Sequence, residues 1–388
     1  MKNNNSVAYV DKITSIIPIN DADNIELATI EGWTSIITKN TFKVGEKVAV
    51  FIDNAVIPED LAIYLNIKKY LKKDNIVHTI KLKGVYSEVI IVPLSKLDEY
   101  EQDSHKSEQY FSDITSYKVK ESLEKLLNIS KYEKPILDKN QLFKSLPAKS
   151  NKYFDKYYKF PLLKNDIKRF TGKDCVEVTR KIHGTNARYG ICRKSKLSKW
   201  IKLKKLLHLA TIKDEYEFVF GSHNVQLQNS NNIWGIIKYK YNLENKLFKY
   251  VKTIIKNKSD LVRISNLNSF IIYGEIYGKD IQGSFNYGLK DQQIAFFDIQ
   301  INDNYLPLST TRSIISLLDL KSVPLLYLGK YNKPKIDAFV YNNFIPNTTI
   351  PEEGVVIKAC DGNRLKTAKI KNPDFLIYIE NNNIPDSH

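Results

Sequence analysis

Between residues 7 and 97, short runs rich in β-branched and aromatic residues follow one another at close spacing, at 7–17, 25–29, 34–37, 47–52 and 77–92. Turn chemistry separates them, as in Asn20-Asp21-Ala22-Asp23 and Lys43-Val44-Gly45-Glu46, and runs of this length bounded by Asn, Asp and Gly read as strands. Several short strands so close together predict a small OB-like β-barrel. A sheet closed on itself leaves no long free edge, and barrels of this kind often bind oligonucleotides on one face. The alternative is a β-domain that only packs against its neighbour.

Beyond the barrel the pattern changes. Residues 98–120 are dominated by Ser, Glu, Asp and Lys and read as a mobile connector. Leu123, Leu126 and Leu127 have helical spacing within 121–129, and Lys131-Tyr132-Glu133-Lys134-Pro135 closes that element. A second polar connector spans 138–157. This divides the chain into an OB-like domain at 1–98, a connector with a short helix at 99–157, and a second domain at 158–388.

The second domain is organised around Arg180-Lys181-Ile182-His183-Gly184-Thr185-Asn186, which follows the apolar run Val176-Glu177-Val178. A strand at 187–192 leads into a basic stretch, 193–213, that contains Trp200 and Leu206-Leu207 and reads as a hairpin or a short helix. It is either an arm that contacts phosphates or a solvated insertion. A strand at 217–221 enters Ser222-His223-Asn224, and residues 239–256 place Leu243, Leu247, Val251 and Ile254 on one helical face. Four apolar strands follow, at 270–276, 293–301, 354–359 and 365–370. Lys369 and Lys371, two apart on a strand, share a face.

Composition narrows the function. The chain has 388 residues with 43% hydrophobic content, enough for two or three domains with their own cores. Its 59 Lys and Arg against 43 Asp and Glu give a net charge of +16, spread along the chain. A surface of this sign attracts polyanions, nucleic acid foremost, although a solvated lysine-rich surface has the same composition. Cys175, Cys192 and Cys360 form no C-x-x-C pair, which argues against a zinc site or disulfide framework. The first residues carry no signal core, and no run approaches the ~18 apolar residues of a membrane span. The expectation is an intracellular, cytoplasmic, monomeric protein with no membrane partner.

A single lysine delivered by a strand into a turn of small residues suits a nucleophile that attacks phosphorus. A free lysine has a pKa near ~10.4, so the neutral amine is scarce at pH 7 unless neighbouring cations disfavour the charge. Lys369 and Lys371 have two possible roles toward Lys181: lowering that pKa and holding nucleotide phosphates. Glu275 and Glu353 could hold a hydrated Mg²⁺ or Mn²⁺, directly or through water. Phe296 or Phe297 could stack on a purine. Taken one at a time, each has an ordinary structural explanation; their order and strand context carry the reading.

Lys181-Ile182-His183-Gly184-Thr185-Asn186, Ser222-His223-Asn224, Gly274-Glu275-Ile276-Tyr277-Gly278, Phe296-Phe297-Asp298-Ile299, Glu353-Gly354-Val355-Val356-Ile357-Lys358 and Lys369-Ile370-Lys371-Asn372 resemble motifs I, Ia, III, IIIa, IV and V of the covalent nucleotidyltransferases, in that order. The His after the lysine, the Thr-Asn pair and the Lys-x-Lys-Asn ending resemble RNA ligases. In the N-terminal part, the run from Ile16 to Glu26, Gly32-Trp33, Phe42-Lys43-Val44-Gly45 and Ile57-Pro58-Glu59 are similar to the OB domain of ATP-dependent RNA ligases of the Deinococcus type.

The fold this resemblance implies is α+β: an N-terminal OB-like barrel followed by a nucleotidyltransferase (ATP-grasp-like ligase) domain of antiparallel sheets with flanking helices. The activity it implies is ATP-dependent sealing of RNA 3′-hydroxyl and 5′-phosphate ends, at nicks in duplex RNA or RNA–DNA hybrids, through lysyl-AMP on Lys181 with Mg²⁺ or Mn²⁺. Lys369 and Lys371 would contact the α-phosphate, Glu353 would order metal waters, and Glu275 would bind the ribose. Phe296 or Phe297 would flank the adenine. Arg169, Ile182, His183, Asn186 and Lys358 complete the implied nucleotide-binding set. Arg180 stands where relatives commonly carry Glu, His223 where many ligases carry Arg, and His183 where the wider superfamily has Asp. The alternatives are a GTP-dependent capping-type enzyme and a non-catalytic RNA-binding ligase homologue.

Overall fold

Strand-rich sequence at the N-terminus becomes a set of small antiparallel sheets. The structure is a computed structural model that describes residues 6–104, 113–132, 150–228, 231–256, 261–262, 266–341 and 343–384. Its first elements are β1 (Ala8–Lys12), β2 (Ser15–Pro18), β3 (Ile25–Ile30), β4 (Trp33–Thr38), β5 (Lys47–Ile52), β6 (Ala55–Val56), α1 (Glu59–Tyr64), β7 (Ile80–Leu82), β8 (Val85–Ser87), β9 (Val89–Pro93), α2 (Leu94–Ser104) and β10 (Ser130–Lys131). The strand orders are β1-β5-β9, β2-β3-β4, β7-β8 and β10-β6. With the segment Pro161–Arg169 they make up one of two compact units, Met1–Pro135 and Pro161–Arg169.

Two runs that read as single strands are divided. The run at 7–17 changes sheets in its middle: the Ile13 N–H donates to the Glu46 carbonyl at 3.0 Å and the Thr14 N–H to the Thr29 carbonyl at 2.8 Å, so β1 pairs with β5 and β2 with β3. The run at 77–92 folds on itself because Lys83 and Gly84 both take positive φ, 49° and 79°, the geometry of a two-residue hairpin turn.

The connector at 98–120 is also corrected in part. Its start lies in α2, and Ile114 is fully buried, its N–H held by Asp98 Oδ1 at 2.6 Å; 105–112 lie outside the described residues. The short helix at 121–129 is a single turn instead. The Leu123 N–H donates to the Ala8 carbonyl at 2.8 Å, which commits the backbone to β1, and Leu123 and Leu127 fill this unit's core. Glu133 through Pro135 and most of the second connector also lie outside the described residues.

The second unit comprises Ile136–Phe160 and Phe170–His388. Its elements are β11 (Cys175–Arg180), β12 (Thr185–Arg193), α3 (Lys199–Leu206), α4 (Ile212–Glu215), β13 (Tyr216–Gly221), β14 (Gln226–Leu227), α5 (Ile233–Lys240), α6 (Leu243–Ile255), β15 (Ser269–Gly278), β16 (Gln292–Ile301), β17 (Asn304–Tyr305), α7 (Leu308–Leu317), β18 (Leu325–Lys330), α8 (Lys333–Asp337), β19 (Gly354–Ala359), β20 (Thr367–Lys371) and α9 (Pro373–Asn381). They build a six-stranded sheet, β14-β13-β12-β15-β16-β17, and a four-stranded sheet, β18-β11-β19-β20. The helix expected at 239–256 begins later, after Asn242 at φ 52°, and a separate α5 precedes it. Leu243, Leu247, Val251 and Ile254 are fully buried against the large sheet, as their spacing requires.

The late strands fall close to the expected places, and the basic stretch resolves into α3 rather than a hairpin. The three cysteines are free thiols, with the sulfurs of Cys175 and Cys360 at 2.7 Å. Among the described residues no helix is long and apolar enough to cross a membrane.

Candidate active site

The turn that carries Lys181 links β11 of the small sheet to β12 of the large one. Strand register aligns the basic residues. Arg180 pairs with Val355 and the Lys181 N–H donates to the Gly354 carbonyl at 2.9 Å, while Gly354 pairs with Lys371 and Val356 with Lys369. Lys181, Gly354 and Lys371 therefore form one row across three strands. Thr179, Val356 and Lys369 form the next row on the same face. Lys369 and Lys371 are half-buried between the buried Ala368 and Ile370, so the alternation expected of them is present.

Two glycines make this close packing possible. A Cβ at Gly184 would lie 2.2 Å from the Ile276 carbonyl oxygen and 2.9 Å from Glu275 Cγ. Gly354 has φ 138°, and a Cβ there would meet the Ile370 carbonyl at 2.1 Å. Only glycine lets backbones approach to this degree.

Lys181 Nζ sits 2.6 Å from Glu353 Oε1, and that carboxylate is fully buried. His183 Nδ1 lies 3.9 Å from the other Glu353 oxygen. The His183 ring is clamped edge-on by Phe285 and Phe375, at centroid distances of 5.1 and 5.0 Å, and the His183 backbone N–H donates to the Tyr287 hydroxyl at 2.6 Å. Burial, and then the charge of Glu353, push the Tyr287 hydroxyl far above its ordinary pKa, so it stays a neutral phenol. The Gln282 amide holds the Gly184 carbonyl. Asn186 lies opposite Glu275, its carbonyl accepts the Trp234 indole N–H at 3.0 Å, and its buried Oδ1 has no hydrogen-bond partner among the described residues.

An RNA ligase family model matches residues 174–371, from just before β11 to the end of β20. The chain belongs to the RNA ligase family. An OB-fold domain model matches residues 7–94. No match was found among curated protein sequences. Among solved structures the chain is similar to Naegleria gruberi RNA ligase with PPi, at TM-score 0.69 and 21% identity, covering 97% of this chain and 99% of that one. An alanine mutant of the Naegleria ligase with ATP and Mn gives TM-score 0.69 and 21% identity, over 96% and 98%. A further mutant with AMP and Mn gives 0.68 and 21%, over 96% and 98%. At this identity the likeness is one of fold. The α+β fold with an N-terminal OB domain is borne out.

In this RNA ligase family member the remaining candidates divide. Glu275 is half-buried beside Gly184. Phe296 is fully buried in the core of the large sheet. Phe297, on the opposite face of β16, is half-buried, its ring 5.0 Å from that of Tyr157. Lys369 Nζ stands 5.9 Å from the Phe160 ring centroid. Ile182 is buried with Tyr277, Ala295 and Val323. Arg169 belongs to the OB-containing unit, where it pairs with Asp166 at 3.2 Å.

The Lys358 ammonium is committed internally, 2.9 Å from Asp298 Oδ2 and 3.0 Å from the Phe297 carbonyl. Asp298 also accepts from Arg364 and, at 2.7 Å, from the Tyr157 hydroxyl. Burial alone would raise the Asp298 pKa; the charges of Lys358 and Arg364 outweigh it and hold the carboxyl below its usual range. Among the described residues no three of His, Cys, Asp and Glu converge as a direct metal site.

Several residues at this ligase-family site had no signal of their own in the sequence. Tyr287 and Gln282 come from the turn between β15 and β16, and Trp234 from α5. Glu352 was visible only as the neighbour of Glu353. It is 1% exposed, Arg180 Nε lies 3.1 Å from its Oε1, and burial raises its pKa against the pull of Arg180. Arg180 thus meets a carboxylate. His223 is half-buried, and burial followed by Lys159 and Arg188 lowers its pKa, which leaves it neutral at pH 7.

Proposed function

We propose that this protein is an ATP-dependent RNA ligase that joins a 3′-hydroxyl to a 5′-phosphate, at nicks in duplex RNA or in RNA–DNA hybrids. The observation that carries the reading is the Lys181–Glu353 pair at 2.6 Å, set in a row with Lys371 at the junction of two sheets. In the first step the Lys181 amine attacks the α-phosphorus of ATP. The bond to the bridging oxygen breaks, pyrophosphate leaves, and the nitrogen loses its proton. In the second, a 5′-phosphate oxygen takes the AMP, the P–N bond breaks and the lysine regains a proton. In the third, a 3′-hydroxyl attacks the activated 5′-phosphorus, a phosphodiester forms and AMP leaves.

Each residue has a place in this scheme. Glu353 holds the Lys181 side chain until nucleotide phosphate displaces the ion pair, and Lys369 and Lys371 carry positive charge on the face where the α-phosphate sits. Glu275, beside the Gly184 turn, takes the ribose, and the orphaned Asn186 Oδ1 is a buried acceptor open to a nucleotide donor. Phe297, the less buried of the two phenylalanines, flanks the adenine. Lys358 acts from behind, through Asp298 and the Phe297 carbonyl, rather than on the nucleotide directly.

Glu353, buried beside Lys181, and Glu275, beside the Gly184 turn, are oxygen donors of the kind Mg²⁺ or Mn²⁺ takes, and they would hold such an ion directly or through its waters. Such an ion neutralises charge developing on the phosphoryl oxygens. The OB domain is assigned the duplex on the 3′-hydroxyl side of the nick.

The test is incubation with α-labelled ATP and a divalent cation. Label should appear on the wild-type protein and vanish in Lys181→Ala. Label that persists in the variant would remove the mechanism, and labelling by GTP in place of ATP would move the chain to the capping-type reaction.

A further inference from the structure

The basic stretch after β12 is not used by the proposed reaction, and its helix carries exposed apolar side chains. Two of the four lysines of α3 are tied to α4: Lys205 pairs with Glu215 at 2.5 Å and Lys204 with Asp214 at 3.4 Å. The apolar side chains turn outward. Trp200 is 65% exposed, Leu203 42%, Leu206 75% and Leu207 56%, and Leu209 just beyond the helix is 66% exposed. At 100° per residue Trp200, Leu203, Leu206 and the C-cap Leu207 fall within about a third of the circumference. On the same wheel Lys199, in the first turn, lies within that third and Lys202 at its edge, both exposed. Residues 193–213 contain eight Lys and Arg and no Asp or Glu.

We propose that α3 and the residues after it form a docking element for an anionic lipid surface. An apolar stripe with a tryptophan, one lysine at its N-terminal end and another at its edge matches the layering of a bilayer interface: leucines enter the acyl boundary, the indole sits at headgroup level and the ammonium groups, on long flexible stems, reach lipid phosphates. A second copy of the chain is disfavoured, because two segments of the same strong positive charge would oppose each other. Duplex RNA matches the charge but offers no apolar surface for five exposed hydrophobic side chains. The stripe is short, so binding should be reversible and salt-dependent.

The experiment is flotation of the full-length protein with equimolar phosphatidylserine–phosphatidylcholine vesicles and with phosphatidylcholine vesicles alone, alongside tryptophan emission. Trp33 is buried and the Trp234 indole N–H is bound to the Asn186 carbonyl, so a blue shift on vesicle addition that is absent in Trp200→Phe would report Trp200. The expected results are co-flotation with the anionic vesicles only, and a loss of at least about tenfold in partition for Leu206→Glu with Leu207→Glu. Lys199→Glu with Lys202→Glu should show a comparable loss. Thermal unfolding and ATP labelling should be unchanged in all variants, since these side chains are solvent-exposed.

No flotation of the wild-type protein overturns the proposal, as does flotation indifferent to the leucine substitutions. If the leucine pair lowered affinity for nicked duplex RNA as much as for vesicles, the stretch would be a nucleic-acid arm and the lipid assignment would fall.

Discussion

At Gly184 and Gly354 a single methyl group decides whether the site can assemble. Gly184→Ala would press a Cβ against the Ile276 carbonyl, and Gly354→Ala would clash with the Ile370 carbonyl and force alanine to hold a φ of 138°. Each should cost roughly 1–3 kcal/mol in strain. Because the strain falls on the two strands that align Lys181, ATP labelling should drop by at least about tenfold while the protein remains folded by circular dichroism. Asp298 makes the opposite point, since it is fully buried and its removal acts on stability. Asp298→Asn leaves Lys358 and Arg364 without their carboxylate and should cost about 3–5 kcal/mol in urea unfolding at neutral pH. The sign with pH follows from its depressed pKa. The carboxylate's contribution is complete above the ordinary carboxylate range and fades as pH falls below about 4. The stability gap between wild type and Asp298→Asn should therefore narrow on acidification; a gap that widened would remove the ion cluster as its cause.

At the scale of elements, the strands that carry the site were legible and the pieces that brace them were not. Alternation and β-branching located β12, β15, β16, β19 and β20 within a residue or two because each is a long apolar run crossing a core. The run at 7–17 reads as one strand, since a change of sheet partners in mid-strand leaves the residue pattern unaltered. The leucines at 121–129 read as a helix for a similar reason: spacing reports that Leu123 and Leu127 share a side, not what satisfies the backbone between them. Nothing in the residue pattern sets off β18 and α7, or the Arg312–Glu177 ion pair at 2.8 Å that ties β11 to α7. Lys369 and Lys371 were readable as a same-face pair; their row with Lys181 needed the register of three strands. The burial of Leu123 can be checked by mutation. Leu123→Ala removes a fully buried side chain from the β-domain core and should cost about 2–5 kcal/mol. An exposed site would lose almost nothing in the same denaturation experiment.

For the molecule as a whole, the +16 charge sets the terms on which a polyanion is met. Affinity for nicked duplex should fall steeply with salt, with a log–log slope of about −0.9 for each phosphate contacted. A titration by fluorescence anisotropy between low and physiological salt reads that slope, and a flat curve would show that the charge serves something other than nucleic acid. The two units also differ in how the chain supplies them. The segment Pro161–Arg169 belongs with Met1–Pro135, although Ile136–Phe160 of the other unit lies between them in sequence. Within that segment Lys164 pairs with Glu88 and its backbone lies against Gly32, 2.7 Å from where a Cβ would stand. A ribosome that has emitted the first 135 residues has therefore not yet emitted all of the first unit. Its last piece arrives only after part of the second has emerged, so on the ribosome the OB-containing unit can finish folding no sooner than Arg169 clears the exit tunnel.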